Sequence, residues 1–481
     1  MTSAKKIISN IFILYLAAIF GNILTLTLIL AISRFLGADG LGKYSFAIAF
    51  VGLFSIISDL GVGTLMKRDL VKNSKNKVSY VGNILTLKFI LNFLIILICL
   101  ISIYFTDKSF EVRAIVMIYA FTLFLEYINW VFYGLYQIYQ KIEYQALIIT
   151  IERIISVGGG IILLLLGQKL ISIFMLIFIS YLISFTISLI ITNRKICKIR
   201  PQFDIKFSIQ IIIRALPFWF STIFLSLYSK ADVILLKFFK TYDIVGFYSA
   251  AYKLIDGLSV IPAVVTIVIF PVMVKFHVEN QNRLQVLFQT SIKYLFLISF
   301  PIAIGTTMLA DRIINLLYGK EFVSSALALQ ILIWAEVLIF INAITAQLLN
   351  AIDKEKAFAF SAGFCLIFNI ILNLMLIPIL SFIGSAITVL LTQIALFILF
   401  YLHITKKGYH LNLKNMGVTP FFACAIMILT ILALRNANLF LIIPISAIIY
   451  FSILFFGRSF SKEEINLFRS IIKVPFLKHP K

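Results

Sequence analysis

The stretch Arg34–Asp69, RFLGADGLGKYSFAIAFVGLFSIISDLGVGTLMKRD, decides the fold class. It opens with a glycine-rich turn and continues as about 22 largely apolar residues, enough for one helix to cross the ~30 Å hydrocarbon core of a bilayer. The apolar part ends at the basic pair Lys67-Arg68, which is typical of a membrane–water boundary. The motif GKYSFA at 42–47 returns as GFYSAA at 246–251, which indicates two similarly built halves.

The composition extends this interpretation to the whole chain. Hydrophobic residues make up 62% of the sequence and charged residues 13%, against about 45–50% and about 25% in ordinary globular proteins. A soluble fold cannot bury so much apolar surface, so lipid must be the solvent for most of the chain. The formal net charge is +22, but the basic residues lie between apolar segments. We therefore expect membrane lipid as a partner, and no nucleic acid.

The apolar segments predict an all-α integral membrane protein with about 14 transmembrane helices. The predicted spans are 10–33, 44–66, 80–105, 114–138, 145–166, 170–192, 208–236, 244–274, 286–310, 323–350, 357–378, 382–404, 418–434 and 439–457. Most of the 42 lysine and arginine residues fall in connections on one side of these spans. Because basic loops stay in the cytoplasm, both termini are predicted to be cytoplasmic.

The domain organisation follows from the most basic internal connection, 194–206, which predicts a cytoplasmic linker. It separates an N-terminal lobe of six spans, 1–193, from a C-terminal lobe of six spans, 207–404. A further pair of spans occupies 405–457, and a basic cytoplasmic tail occupies 458–481. Since an even number of spans returns the chain to its starting side, the two lobes are predicted to be parallel repeats.

The sequence contains no complete motif for catalysis, nucleotide binding or metal binding. GADGLGK at 37–43 matches a phosphate-binding loop as far as its lysine, but Tyr44 stands where a serine or threonine must hold magnesium. The four histidines lie in connections or at span ends, and the four cysteines have no metal-ligand spacing. The sequence therefore predicts no cofactor, no metal site and no enzyme activity.

Polar residues inside the spans carry the functional information, because each ionisable group there costs about 2.5–3.5 kcal/mol on insertion. In span four Glu126, Asn129 and Tyr133 share one helical face, and spans seven, eight and ten carry similar stripes. Such stripes indicate a hydrated cavity between the lobes, while interhelical ion pairs and snorkelling side chains are the alternative. The tryptophans suit membrane interfaces, with stacking on sugars as their alternative use.

Several motifs resemble a known family. RFLGADGLGKYSFAIAF and LGVGTLMKRDL resemble the N-terminal signature of polysaccharide-repeat flippases, the Wzx-type transporters of O-antigen or capsular repeat units. ADVILLKFFKTYDIVGFYSAAYKL, LYGKEF and NIILNLMLIPILSFIGSA are similar to their C-terminal half. The family belongs to the multidrug/oligosaccharidyl-lipid/polysaccharide exporter superfamily. Ser381 departs from the pattern, since the family often has glycine there.

The resemblance implies a flippase that moves an undecaprenyl-pyrophosphate-linked oligosaccharide from the cytoplasmic to the outer leaflet by alternating access. It implies the bacterial cytoplasmic membrane as location, with a polysaccharide polymerase and chain-length machinery as further partners. Candidate residues for binding the headgroup and its pyrophosphate are Arg34, Lys88, Arg214, Lys253, Tyr248 and Tyr252. Candidate carboxylates for coupling a proton or sodium ion are Glu126, Asp232, Asp256 and Glu336.

Two other functions remain open at this point. A multidrug or toxin antiporter of the same superfamily needs an acidic, aromatic cavity for organic cations, and the charges within the spans are nearly balanced. A membrane polymerase or glycosyltransferase usually needs a sizeable outer loop, and the predicted outer connections are short. The motifs favour the flippase over both.

Overall fold

The computed structural model describes residues 2–72, 77–411 and 418–457, and within these ranges it contains helices and no strand. The α-helices are α1 Thr2–Phe54, α2 Ile56–Asp59, α3 Val62–Lys72, α4 Lys77–Thr106, α5 Phe110–Ile138, α6 Ile142–Leu165, α7 Leu170–Lys195, α8 Ile205–Phe239, α9 Tyr242–Asp256, α10 Val260–Glu279, α11 Gln281–Leu317, α12 Ser325–Ala351, α13 Glu355–Thr405, α14 Thr419–Ala433 and α15 Leu439–Phe456. The all-α class predicted from the composition is confirmed.

The described part of the chain has ten helical segments long and apolar enough to cross a membrane, and α14 is a shorter apolar helix. Two of these segments each correspond to a pair of predicted spans. Span 44–66 and most of span 10–33 lie in the first segment, Ile19–Leu70, and spans 357–378 and 382–404 lie in α13. The count of about 14 spans and the cytoplasmic termini stay predictions, and the predicted tail 458–481 lies outside the described residues.

The two longest helices are broken near their middles. An unbroken helix of 53 residues would be ~80 Å long at ~1.5 Å per residue, far more than one membrane crossing needs. In α1 the break is at Gly37 (φ 67°, ψ −167°), and in α13 it is at Ser381 (φ 55°, ψ −139°). A positive φ favours glycine because it brings a Cβ atom against the backbone. Ser381 adopts this conformation with a side chain present.

The described residues form two compact units, divided between Gly246 and Phe247. Unit 1 contains α1 to α8 and the first turn of α9, and unit 2 contains the rest. This division falls beyond the predicted linker 194–206 and leaves α8, which carries the predicted span 208–236, in unit 1. The lobes of six spans each stay a prediction.

The two copies of the glycine motif begin at one helix crossing inside unit 1. A Cβ atom at Gly42 would lie 1.7 Å from the carbonyl oxygen of Tyr242, and one at Gly246 would lie 2.0 Å from the carbonyl oxygen of Ala38. Gly42 thus contacts the residue four positions before Gly246, and Gly246 contacts the residue four positions before Gly42. Only glycine permits this backbone approach, so the crossing explains why both motifs start with that residue.

Large apolar side chains lie on the outside of many helices. On α4 the exposed residues include Phe89, Phe93, Leu97, Ile101 and Phe105, which recur every four residues along one face. Polar side chains such as Asn83 and Asn92 of the same helix are buried. Apolar residues outside and polar residues inside are what a lipid solvent requires.

Candidate substrate-binding site

A cavity of about 350 Å³ lies within unit 1 among α3, α5, α6 and α7, and we call it the polar cavity. Its wall consists of charged, amide and aromatic side chains, except at Gly134 and Ile149. The lining residues are Lys67, Glu126, Asn129, Trp130, Tyr133, Gly134, Gln137, Gln145, Ile149, Glu152, Arg153 and Tyr181. A cavity of this composition inside an apolar helical unit is suited to a hydrophilic ligand.

One face of α5 supplies much of this wall. Glu126, Asn129, Tyr133 and Gln137 follow one another at intervals of three or four residues, so they lie on the same side of the helix. The polar stripe recognised in span four therefore lines a cavity within unit 1. Tyr181 on α7 lines the same space, and Ser184, Ser188 and Thr192 follow it at helical spacing.

The charges in the polar cavity are balanced. Glu126 and Glu152 carry two formal negative charges, and Lys67 and Arg153 carry two positive ones. The Arg153 Nε atom lies 3.8 Å from Glu152 Oε1, and the Tyr181 hydroxyl lies beside both carboxyl groups. The pair Glu152–Arg153, which the sequence suggested as mutually neutralising, is thus part of the cavity wall.

Hydrogen bonds between helices hold the wall in place. The Asn129 amide donates to Ser184 Oγ at 3.2 Å, and the Tyr133 hydroxyl lies 3.4 Å from the same oxygen. At the other end the Gln137 amide donates to Gln145 Oε1 at 3.0 Å. Asn129 Oδ1 and Glu152 Oε1 accept no hydrogen bond, although Glu152 Oε1 lies in the ion pair with Arg153.

Three of the four predicted headgroup cations pair with carboxylates elsewhere. Lys88 is 1% exposed and its Nζ lies 2.5 Å from Asp59 Oδ1. Arg214 Nη2 lies 2.7 Å from Asp69 Oδ2. In unit 2, Lys253 Nζ lies 3.3 Å from Asp256 Oδ2, one turn further along the chain. Within unit 1, Lys88 and Arg214 thus pair with two different carboxylates, and the headgroup role of all these cations stays a prediction.

The remaining predicted headgroup residues have different environments. Arg34 is exposed just before the break at Gly37. Tyr248 and Tyr252 lie in unit 2, where their rings stack with centroids 5.7 Å apart, and Tyr248 is fully buried. Tyr248 is thus part of the packing of unit 2.

The four predicted coupling carboxylates are also distributed. Glu126 lines the polar cavity, Asp232 is 3% exposed on α8, and Asp256 is exposed at the end of α9. Glu336 on α12 is 2% exposed. The Ser259 hydroxyl donates to Glu336 Oε1 at 3.0 Å, and Glu336 Oε2 has no hydrogen-bond partner. This unfilled oxygen is the feature expected of a carboxyl group that takes up an ion.

A second charged network lies around the helix crossing of unit 1. Lys43 Nζ lies 2.7 Å from both Asp39 Oδ2 and Glu111 Oε2. The Tyr242 hydroxyl donates to Asp107 Oδ2, beside which Lys237 also lies. The sequence marked none of these carboxylates as functional, because they lie outside the predicted spans.

Unit 2 contains an apolar cavity of about 310 Å³ among α11, α14 and α15. Its wall includes Leu309, Ile431, Ile443 and Phe451, and its polar groups are few. The Tyr450 hydroxyl at its edge donates to the carbonyl oxygen of Leu297 at 3.1 Å. We call this space the apolar cavity.

Metal ligands do not cluster in the described ranges 2–72, 77–411 and 418–457, where no group of three histidine, cysteine or acidic side chains is placed to hold an ion. The predicted absence of a metal and a cofactor stays a prediction.

Comparison with known proteins gives consistent relatives. The chain is 24% identical over 395 residues to the probable low-salt glycan biosynthesis flippase Agl15 of Haloferax volcanii, covering 79% of each chain. Its structure is similar to the lipid II flippase MurJ in an inward closed conformation, with a TM-score of 0.75 and 17% identity, covering 96% of this chain and 100% of that one. It is also similar to an inward-facing multidrug resistance MATE family transporter of the MOP superfamily, with a TM-score of 0.65 and 16% identity, covering 80% and 94%. Because the sequence identities to these two solved structures are only 17% and 16%, the structural similarities show that the folds are alike and do not assign a function.

The family model described as polysaccharide biosynthesis protein matches residues 7–277, which is more than half of the chain. The matched range includes the glycine-rich stretch Arg34–Asp69 and all residues lining the polar cavity. The chain therefore belongs to the polysaccharide biosynthesis protein family, as the resemblance of its motifs predicted.

Proposed function

We propose that this chain is a flippase of glycan biosynthesis, which moves an undecaprenyl-pyrophosphate-linked oligosaccharide from the cytoplasmic to the outer leaflet. The observation that carries the proposal is a polar, charge-balanced cavity inside a helical unit with an apolar exterior, in a chain of this family. A relative named as a glycan biosynthesis flippase and a fold similar to that of a lipid II flippase support it. The membrane is proposed to be the bacterial cytoplasmic membrane, and the polymer O-antigen or another surface polysaccharide.

Transport is proposed to proceed by alternating access, driven by a coupled ion. A hydrophilic headgroup then crosses on a polar path while its lipid tail stays in the bilayer. Glu336 is the first candidate for the ion because one of its oxygens is buried without a partner. Arg214 is a candidate for the pyrophosphate, since its half-exposed guanidinium can exchange Asp69 for phosphate oxygens.

A leaflet assay tests the function directly. The full chain is reconstituted in liposomes containing a polyprenyl-pyrophosphate-linked oligosaccharide, and a glycan-cleaving enzyme that cannot cross the bilayer is added outside. We expect the glycan of the inner leaflet to become cleavable when the protein is present. If the glycan stays protected while the organic cation ethidium is transported, the chain is a multidrug antiporter and the proposal is wrong.

The role of Arg214 is tested in the same assay. Arg214→Gln removes a charge-assisted hydrogen bond to phosphate worth about 1.5–3 kcal/mol, so we expect the initial rate to fall about tenfold or more. Arg194→Gln is the matched control, because Arg194 is an exposed arginine at the end of α7. Equal rates for the two variants would contradict the role of Arg214.

The direction of transport depends on the predicted orientation. Burial raises the pKa of the Cys197 thiol, so this native cysteine should react slowly with maleimides at neutral pH and faster as the pH rises. Lys198→Cys, in a chain with serine at the four native cysteines, places a reactive thiol at an exposed position of the predicted cytoplasmic linker. We expect an impermeant maleimide to label it only after intact cells are opened. Labelling of intact cells would reverse the orientation.

A further inference from the structure

The residues that line the polar cavity are rich in hydrogen-bond donors and acceptors, and the roles predicted for the ion and the pyrophosphate do not account for them. Of its twelve lining residues, only Gly134 and Ile149 lack a polar side-chain atom. The others include three amides, two carboxyl groups, two cations and three aromatic side chains with a polar atom. Amides and hydroxyls both donate and accept hydrogen bonds, whereas cations only donate. Such a wall matches a ligand that also offers many donors and acceptors.

Two buried acceptors indicate what a ligand at this site should supply. Asn129 is 1% exposed and Glu152 is 4% exposed; Asn129 Oδ1 and Glu152 Oε1 accept no hydrogen bond, and Glu152 Oε1 has the Arg153 guanidinium as an ion-pair partner at 3.8 Å. A buried acceptor without a donor is costly, so a ligand that displaces water from this site is favoured when it donates to these oxygens. A pyrophosphate diester has only acceptors at neutral pH and does not meet this need. A quaternary ammonium or phosphonium cation has no donor either.

The balanced charge of the polar cavity also argues against a pyrophosphate anion and against a quaternary ammonium or phosphonium cation as its ligand. An anion approaching Lys67 and Arg153 also meets Glu126 and Glu152, and a cation approaching those carboxyl groups meets Lys67 and Arg153. A neutral ligand avoids both repulsions. Its hydroxyl groups can donate to the carboxylates and accept from the cations, which gives charge-assisted hydrogen bonds of both kinds.

Size and aromatic content agree with this assignment. A volume of about 350 Å³ lies near the lower end of ligand pockets, roughly 300–1,000 Å³, so it suits a small part of an oligosaccharide. Trp130 lines the polar cavity, and its indole N–H donates to the Glu126 carboxyl group. The apolar face of a sugar ring packs on such an aromatic surface while its hydroxyl groups face polar side chains.

We propose that the polar cavity binds an uncharged sugar residue of the lipid-linked glycan, whose hydroxyl groups donate to Asn129 Oδ1 and Glu152 Oε1 while its ring packs against Trp130. This inference rests on the proposed flippase function and assigns the glycan, rather than the pyrophosphate, to unit 1. The pyrophosphate then binds cations outside the polar cavity.

Trp130 serves as the reporter for a binding experiment. The chain has three tryptophans, so Trp219→Phe and Trp334→Phe together leave Trp130 as the sole source of indole fluorescence. The purified full chain in nanodiscs is titrated with glucose, galactose, mannose, N-acetylglucosamine and N-acetylgalactosamine. We expect at least one sugar to change the Trp130 fluorescence saturably. Inorganic pyrophosphate and tetraphenylphosphonium, tested in the same way, should not.

Variants locate the site. Asn129→Leu removes one unpaired acceptor and should weaken the fitted sugar affinity about tenfold, the effect of one lost hydrogen bond. Glu152→Gln keeps an acceptor oxygen but exchanges a charge-assisted hydrogen bond for a neutral one, so the sugar affinity should fall several-fold. Asn92→Leu is the matched control, because Asn92 is a buried amide on α4 outside the polar cavity. Melting temperature and gel-filtration profile establish that each variant is folded.

The outcomes separate this inference from the proposed function. If no sugar changes Trp130 fluorescence, or if only pyrophosphate or tetraphenylphosphonium does, the inference is overturned even when the leaflet assay shows glycan transport. If sugars bind through Asn129 and the leaflet assay shows no transport, the proposed function fails and the sugar site stands. Equal sugar affinities for Asn129→Leu and Asn92→Leu also overturn the inference.

Discussion

The two compact units enclose cavities of similar volume and opposite chemistry. Unit 1 holds the polar cavity of about 350 Å³, and unit 2 holds the apolar cavity of about 310 Å³. Both are built from helices that the sequence describes alike, as apolar spans. The difference arises because α5 carries polar residues at helical spacing on the face that lines the polar cavity, whereas the residues of α11, α14 and α15 that line the apolar cavity are mostly apolar. Unit 1 therefore contains a cavity that is suited to a hydrophilic ligand.

The units also differ in the partner of a buried ionisable side chain and in the residue that adopts a positive φ at the break in the long helix. In unit 1 the fully buried Lys88 is matched by Asp59, and the break in α1 occurs at a glycine. In unit 2 the buried Glu336 has only the neutral Ser259 as hydrogen-bond partner, and the break in α13 occurs at Ser381. The following variants test these differences, beginning with the largest expected effect.

Breaking the ion pair of unit 1 should cost the most. Asp59→Ala leaves the Lys88 ammonium buried without its carboxylate. Removing one partner of a fully buried pair costs about 3–5 kcal/mol, and because the Asp59 side chain is 36% exposed we expect the lower end of this range. The corresponding change in unit 2, Ser259→Ala, removes one neutral hydrogen bond worth about 1 kcal/mol. The free energy of unfolding, measured by titration with denaturing detergent, should fall several times more for Asp59→Ala. The double variant Asp59→Leu with Lys88→Met should recover much of the loss, and a cost for Asp59→Ala no larger than that for Ser259→Ala would contradict the assignment.

A carboxylate introduced into each cavity sharpens the comparison. Ile431→Asp places a charge in the apolar cavity, where we expect a loss of about 3 kcal/mol. Ile149→Asp places the same group in the polar cavity, which Lys67 and Arg153 also line, so the loss should be less than half as large. Melting temperatures of the purified variants measure the difference. Equal shifts would show that the two cavities are equivalent environments for a charge.

The breaks in the long helices give the smallest expected effect. Ser381 has a positive φ and a buried Oγ atom without a hydrogen-bond partner, so Ser381→Gly should stabilise unit 2 by about 1 kcal/mol. Gly37→Ser imposes the same strain on unit 1 and should destabilise it by about 1–3 kcal/mol. Opposite signs of the two melting-temperature shifts support the comparison. A loss of stability in Ser381→Gly would contradict it.

Much of the fold could be predicted because its causes are local. Long apolar segments require a lipid solvent, and a spacing of three or four residues places Glu126, Asn129 and Tyr133 on one face of α5. The glycine at the start of each repeated motif was also visible in the sequence, and Gly42 and Gly246 prove to meet at one crossing. Ser381 was recognised as a departure from the family pattern, and the structure gives the reason that glycine is favoured there.

The candidate site was predictable only in part, because partners of a charge lie far apart in the chain. The sequence marked Lys88, Arg214 and Lys253 as cations for a headgroup, but it could not place Asp59 beside Lys88 or Asp69 beside Arg214. Gln137 continues the stripe of span four, but the sequence could not show that Tyr181 and Gln145 face the same cavity. Their role depends on which helices pack together.

By itself, the sequence determined that lipid is the solvent, that the chain is helical and that it resembles the polysaccharide-repeat flippases, because composition, residue periodicity and motif order need no tertiary contact. Tertiary structure alone decided which polar residues share a cavity, which charges pair, and which acceptors stay unpaired. The physical reason is that hydrogen bonds and ion pairs act over a few ångströms in space, whatever the separation of their residues along the chain.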